Sequence, residues 1–255
     1  MNVLLIGSGN TATVLGKLIT NAGHRIVQIW SRNQNHANEL ACQLNAEAIN
    51  SLNDLTADAE ICIMAVSDLV IPEIADQFRL KKKVLVHTAG SVSKEVLKNS
   101  SPNYGVLYPL QSLNKNMTSL PEIPILIDGN SDDVKALLID FASSFSSKVS
   151  LADDDIRMQM HLSAVIVSNF SNHLYALMEG YCTQHELNFQ LLHPIIAEVA
   201  NRLVSGTAYD LQTGPARRGD DSTIQKHLHM LKEDPKLQKL YQIFTESITS
   251  MYHKK

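Results

Sequence analysis

The stretch from residue 2 to residue 23 constrains the fold more than any other part of the chain. An apolar run, "NVLLIG" (2–7), ends in glycine; "GSGNTA" (7–12) follows; then "TATVLGKLITNAG" (11–23) places Val14, Leu18 and Ile19 on one helical face, with Gly23 as the stop. A short continuous apolar run of this kind reads as a parallel strand buried on both faces. Gly7-x-Gly9-x-x-Ala12 then sits at a strand-to-helix turn. Gly7 permits the tight turn, Gly9 lets the backbone approach a pyrophosphate, and the small Ala12 lets the helix pack close to the strand. The open N–H groups of Ser8, Asn10 and Thr11 face the phosphates of a dinucleotide. The alternative is a glycine turn with a structural role only, and the position of the motif between one strand and one helix favours the dinucleotide.

Strand and helix patterns continue to alternate. "HRIVQIW" (24–30), "EICIMAV" (60–66), "KVLVHTA" (83–89), "YGVLYP" (104–109) and "IPILID" (123–128) read as strands; "NHANELACQL" (35–44) and "SDDVKALLIDFASSF" (131–145) read as helices. Such alternation predicts βαβ units and a mainly parallel, Rossmann-type sheet. Near "ADDD" (152–155) the pattern changes to long helical periodicity. The expected architecture is therefore an α/β domain over 1–152 followed by an all-α domain over 153–255.

The strand ends carry the candidate cofactor contacts. In place of the acid that binds the adenosine ribose of NAD, the second strand ends in Ser31 and Arg32, a hydroxyl and a guanidinium suited to a 2′-phosphate. The expected cofactor is NADP; Arg32 as a solvated surface residue is the alternative. Ala65, Val66 and Ser67 follow the strand 60–66, and Thr88, Ala89 and Gly90 follow the strand 83–89, so both loops should flank the nicotinamide half. His87 is either catalytic or a strand-end histidine satisfied by backbone.

Composition narrows the function classes. A net charge of −4 over 255 residues, with no long basic run, disfavours nucleic acid. No apolar stretch reaches the ~20 residues that span a bilayer, and the N-terminus lacks the basic segment of a signal peptide. Cys42, Cys62 and Cys182 are odd in number and widely spaced. They form neither a metal motif nor a disulfide framework, which suits a reducing cytoplasm.

From Met158 to Met178 there is no charged residue. At 100° per residue His161, Ser168 and Asn172 fall on nearly one line, Asn169 lies about 80° to its side, and Leu162, Ile166, Phe170 and Leu177 form the opposite face. This predicts a buried central helix with an uncharged polar stripe. The stripe is either a hydrogen-bonded network between helices or subunits, or the wall facing nicotinamide and substrate. Its apolar face exceeds what a small helical domain covers alone, which predicts a homodimer. Further on, "TGPARRGDD" (213–221) places a Gly-Pro break before two arginines, with Asp220 or Asp221 able to cap the next helix.

The stretches "GSGNTA", "HTAGSVS", "YPLQS", "HLSAVIVSNFSNHL" and "TGPARRGDDSTIQKHLHML" together resemble a known family. The N-terminal part resembles the Rossmann domains of the F420-dependent NADP oxidoreductase and pyrroline-5-carboxylate reductase group. The C-terminal part resembles DUF2520, the domain that follows such Rossmann domains in bacterial proteins. Ala89 stands where the family carries serine, with Ser91 nearby, and Tyr108 where it often carries histidine. The resemblance implies an α-helical second domain like that of 6-phosphogluconate dehydrogenase relatives, commonly dimeric, and an NADP-dependent oxidoreductase of unassigned substrate. Arg218, not Arg217, matches the family's arginine. Presented between two helices, it would meet a substrate carboxylate or phosphate; a solvated turn is the alternative. On this reading His161 supplies a proton, Asn169 holds a substrate oxygen or the nicotinamide carboxamide, and the substrate is a small carbonyl, imine or hydroxy acid. No metal is expected. The rival is a non-catalytic NADP-binding sensor.

Overall fold

The computed structural model describes residues 1–56, 58–117 and 119–253. The chain forms two compact units, Met1–Phe170 and Ser171–Lys255.

The first unit is built on eight strands: β1 (Asn2–Ile6), β2 (Arg25–Trp30), β3 (Glu47–Ile49), β4 (Ile61–Met64), β5 (Val84–His87), β6 (Asn103–Pro109), β7 (Ile125–Gly129) and β8 (Val149–Leu151). They lie in the order β3-β2-β1-β4-β5-β6-β7-β8. All pairs are parallel except β6 with β7. The order reverses between β1 and β4, where doubly wound sheets open the crevice that takes a ligand. Register lines up the strand ends. Ile6 pairs with Trp30 and with Met64, Met64 with His87, and His87 with Val106. The loops beginning at Gly7, Ser31, Ala65 and Thr88 therefore leave the sheet along one edge.

Both faces of the sheet are covered, which explains why its strands read as continuous apolar runs rather than alternating ones. Leu5, Ile63, Val86 and Ile127 pack beneath α1 (Asn10–Asn21), α2 (Gln34–Leu44) and α4 (Asp132–Ser143). Leu4, Cys62 and Leu85 face a second cluster that includes Ile71 and Ile74 of the short α3 (Ile71–Ala75). Local signals set the helix ends. Gly23 at φ 85° turns α1 back so that His24 N–H reaches Ile19 O at 3.2 Å. The side chains of Asn33 and Ser131 accept first-turn N–H groups of α2 and α4.

After β8 the chain becomes helical. Asp153 caps α5 (Asp154–Ala164) by accepting Ile156 N–H at 2.8 Å. Val165–Phe170 form a π-helical turn that runs into α6 (Ser171–Gln184). The expectation of a buried helix over 158–178 is corrected here: Leu162, Ile166 and Phe170 are 58, 49 and 59% exposed. Periodicity identifies which face seeks cover but not what supplies it, and the described residues of the first unit do not.

The second unit holds α6, α7 (His193–Arg202), α8 (Pro215–Arg218), α9 (Asp221–Met230) and α10 (Pro235–Tyr252). His227 Nδ1 and Tyr241 Oη, 2.8 Å apart, join α9 to α10. Among the described residues no helix is long and apolar enough to cross a membrane.

Candidate active site

Gly7, Ser8, Gly9, Asn10 and Thr11 line a cavity of about 440 Å³ at the switch point, together with Ser31, Arg32, Ala65, Val66 and Ser67. Ala12 is the exception among the predicted cradle residues: fully buried, it holds α1 against the sheet. Gly7, at φ 124°, donates its N–H to Trp30 O at 2.7 Å, and a Cβ on it would come 2.1 Å from Ala65 O. No larger residue fits. Gly9 is different: a Cβ there would meet nothing within 4 Å. No side chain caps α1, so the first-turn N–H groups are open to a ligand. Ser8 Oγ donates to Ser31 Oγ at 2.8 Å, joining the glycine loop to the end of β2. Arg32 is exposed at the rim.

Thr88, Ala89 and Gly90 do not line this cavity. They form the turn after β5, and Ala89 N–H donates to His87 Nδ1 at 3.2 Å. His87 Nε2 lies 3.4 Å from Ser93 O. An imidazole with Nδ1 accepting and Nε2–H donating to backbone is neutral. Burial, and then the positive charge of Arg157, push its pKa down to about 4. Of the two readings of His87, the structure gives the strand-end histidine satisfied by backbone.

A second cavity of about 440 Å³ opens where β6 ends beside α5 and the π-helical turn. His161, Ser168 and Asn169 line it with Tyr108, Gln111, Ser112 and Ser163. Tyr108 Oη and His161 Nδ1 are 2.9 Å apart. Both rings rest on Gly90, where a Cβ would come 2.7 Å from His161 Nδ1 and 2.9 Å from Tyr108 Cζ. The π-helical turn explains a departure from the helical-wheel reading. It advances the chain more slowly around the axis than an α-helix, so Asn169 joins the His161 wall. Asn172 belongs to the second unit, on α6.

Two residues that the sequence did not single out brace this region. Arg157, one turn before His161 on α5, is 1% exposed. Its Nη2 donates to Val92 O and, at 2.7 Å, to Asp154 Oδ1. Burial works to raise the Asp154 pKa, but hydrogen bonds from Ser93 and Arg157 and the Arg157 charge hold it below the usual carboxylate value. Across the loop, Ser91 Oγ donates to Asp68 Oδ2 at 2.6 Å. The only prior hint was Tyr108's departure from its family's usual histidine; Arg157 and Asp154 read in sequence as an ordinary helix start.

Arg218 lies in the second unit. Gly214 (φ 104°) and Gly219 (φ 70°) bracket α8, and Asp220 caps α9 by accepting Thr223 N–H at 3.1 Å. The two arginines differ. Arg217 stacks on Tyr252, 4.4 Å from the ring centre, while the exposed Arg218 side chain has no partner among the described residues.

A doubly wound sheet, a glycine cradle at its switch point and a helical continuation define an oxidoreductase-like fold of the nucleotide-binding class. Residues 2–90 match the family described as NADP oxidoreductase, coenzyme F420-dependent, and residues 123–248 match DUF2520, a domain of unknown function. A candidate NADP oxidoreductase of Bacteroides fragilis is 36% identical over 98% of both chains, with a TM-score of 0.88. The chain therefore belongs to the family that joins these two domains. The fold alone is shared with two more distant structures. The 1-pyrroline-5-carboxylate reductase of Streptococcus pyogenes is 14% identical over 98% of both chains, TM-score 0.69. The imine reductase of Myxococcus stipitatus in complex with NADP+ is 14% identical over 100% of this chain and 93% of its own, TM-score 0.57. No curated protein matches the chain.

Proposed function

We propose that the protein is an NADP-dependent reductase acting on the C=N or C=O bond of a small molecule. The observation that carries this reading is the Tyr108–His161 pair, hydrogen-bonded at 2.9 Å on the wall of a cavity otherwise lined by uncharged residues. A reduction by hydride leaves negative charge on the substrate nitrogen or oxygen, and an imidazole is the side chain best matched to return a proton near neutral pH. Asn169, on the same wall, offers an amide to hold a substrate oxygen or a carboxamide.

The cradle fits the cofactor. The space beside Gly9 and the uncapped start of α1 suit a pyrophosphate. Ser31 and Arg32 suit a 2′-phosphate, and no carboxylate stands at the end of β2 to repel it. Bound NADPH would supply the hydride. We assign 1–152 to the cofactor and the helical region from 153 to substrate and subunit contacts. Arg218, whose side chain makes no hydrogen bond or ion pair among the described residues while Arg217 stacks on Tyr252, is the candidate anchor for an anionic substrate group. The exposed Leu162, Ile166 and Phe170 favour a homodimer, and three free cysteines suit the cytoplasm.

The test is NADPH oxidation followed by absorbance against cyclic imines, 2-oxo acids and small aldehydes, with NADP and NAD affinities titrated alongside. Turnover with one of these classes and tighter binding of NADP are expected. Binding of NADP with no turnover on any class would leave a sensor; tighter binding of NAD would refute the 2′-phosphate site.

A further inference from the structure

The hydrogen bond between Tyr108 and His161 poses a question of direction. Towards a neutral imidazole a phenol is the stronger donor, so Tyr108 O–H donates to Nδ1. That leaves the proton of His161 on Nε2, which makes no hydrogen bond among the described residues while the ring lines the cavity. An imidazole that gives up its Nε2 proton from this state must receive another at Nδ1, and among the described residues the donor there is Tyr108. The region around Tyr108 is unevenly charged. Burial and the Asp68 carboxylate make its phenol harder to ionise, and Arg157 alone acts the other way. Arg157 is itself unusual: fully buried, with Nε and Nη1 lacking any partner among the described residues. Half of its fork holds Asp154 and Val92, two residues from Gly90, on which both rings rest. The Asp154 carboxylate pairs with this guanidinium through Nη2, and its Nε and Nη1 hydrogens are left unengaged among the described residues.

Resting on the reductase reading, we infer that Tyr108 is the proton source of the reaction, His161 its conduit, and Arg157 the buried charge that stabilises the tyrosinate formed. Hydride addition at the substrate carbon moves the π electron pair onto nitrogen or oxygen. That atom takes the proton from His161 Nε2. The Tyr108 O–H bond breaks as Nδ1 takes its proton, so the imidazole ends neutral with the proton on Nδ1. The phenolate at Tyr108 is reprotonated from water. Tyr108 and His161 are the proton-carrying residues; Arg157 is a positioning residue that acts through Tyr108.

Two measurements on the full chain test this. The first needs no substrate: histidine ¹⁵N NMR, with the His161 signals assigned by their loss in His161→Gln. The Nε2–H tautomer with an acceptor-shifted Nδ1 is expected, and the acceptor shift should vanish in Tyr108→Phe. A proton resting on Nδ1 would overturn the relay. The second is steady-state kinetics. Tyr108→Phe should lower kcat about 100-fold, the lower end of what a positioned general acid contributes, with KM little changed. Arg157→Met should show the same split, and Arg157→Lys should recover most of the rate. Near wild-type kcat in Tyr108→Phe would overturn Tyr108 as source; equal loss in Arg157→Met and Arg157→Lys would overturn the charge role. If the wild-type chain turns over nothing, the reductase reading falls, while the NMR result still decides whether Tyr108 donates to His161.

Discussion

Gly90→Ala offers a quantitative probe of the Tyr108–His161 pair. The added methyl would lie 2.7 Å from His161 Nδ1, 2.8 Å from Cγ and 2.9 Å from Tyr108 Cζ. Comfortable contacts begin near about 3.5 Å, so the rings must retreat by about 0.6–0.8 Å. A hydrogen bond of 2.9 Å has little room for that. Stretched to about 3.5 Å or more it no longer counts as one. Overpacking of this size costs about 1–3 kcal/mol. Urea denaturation of the four proteins in a double-mutant cycle with His161→Ala separates this strain from any general effect on the turn. With the imidazole gone, two of the three close contacts disappear and the Tyr108 ring is free to swing. At least half of the Gly90→Ala cost should vanish. An equal cost in both backgrounds, or a Gly90→Ala protein as stable as wild type, would refute the account of Gly90 as the floor beneath the pair.

Gly9→Val should leave the melting temperature nearly unchanged, since its Cβ points into open space, yet abolish NADP binding in a titration. His87 should make stability depend on pH. Its imidazole is neutral in the fold down to about pH 4 but protonates near 6.5 when unfolded. Stability is therefore full above 6.5 and falls by about 2–3 kcal/mol between pH 7.5 and 4.5. Denaturation of His87→Leu should show that much less loss over the same interval, and parallel curves for both proteins would count against it. Arg218→Lys should raise KM for an anionic substrate with NADP affinity unchanged. Arg217→Lys, which keeps a cation over Tyr252, should do little to either quantity.

The cradle and the sheet were legible because they rest on short-range chemistry. A glycine that cannot carry a Cβ, as at Gly7, and strands that are apolar on both faces leave marks in the chain itself. What escaped depended on partners distant in sequence. β3 and β8 are three residues each and exist by pairing with β2 and β7. α3 is five residues long and opens on Ile71-Pro72, too short to show a period. The π-helical turn obeys no residue preference that the 100° wheel can register, so the wheel sets Asn169 to the side of His161 and Ser168, with which it lines one cavity. Arg157 finds Val92 across 65 residues, and Tyr108 finds His161 across 53. For the second unit, the sequence separated Arg218 from Arg217 through family likeness alone; the structure adds a physical distinction, a stacked arginine beside an unengaged one.

The contact between Gly7 and Ala65 bears on how such a protein can change over evolutionary time. The turn after β1 rests backbone to backbone on the turn after β4, with space for no side chain at all at Gly7. The position of Gly7 is thus closed to variation: a side chain there would push apart the ends of β1 and β4 before it could alter any ligand contact. Ser31 and Arg32 stand at the rim, one half-buried and one exposed, with neither committed to the core. On the cofactor reading proposed above, selection for a different nucleotide could act at these two positions without disturbing the core. The cradle combines a floor fixed by backbone contact at Gly7 with an adjustable lip at Ser31 and Arg32, and the lip can change without the fold being put at risk.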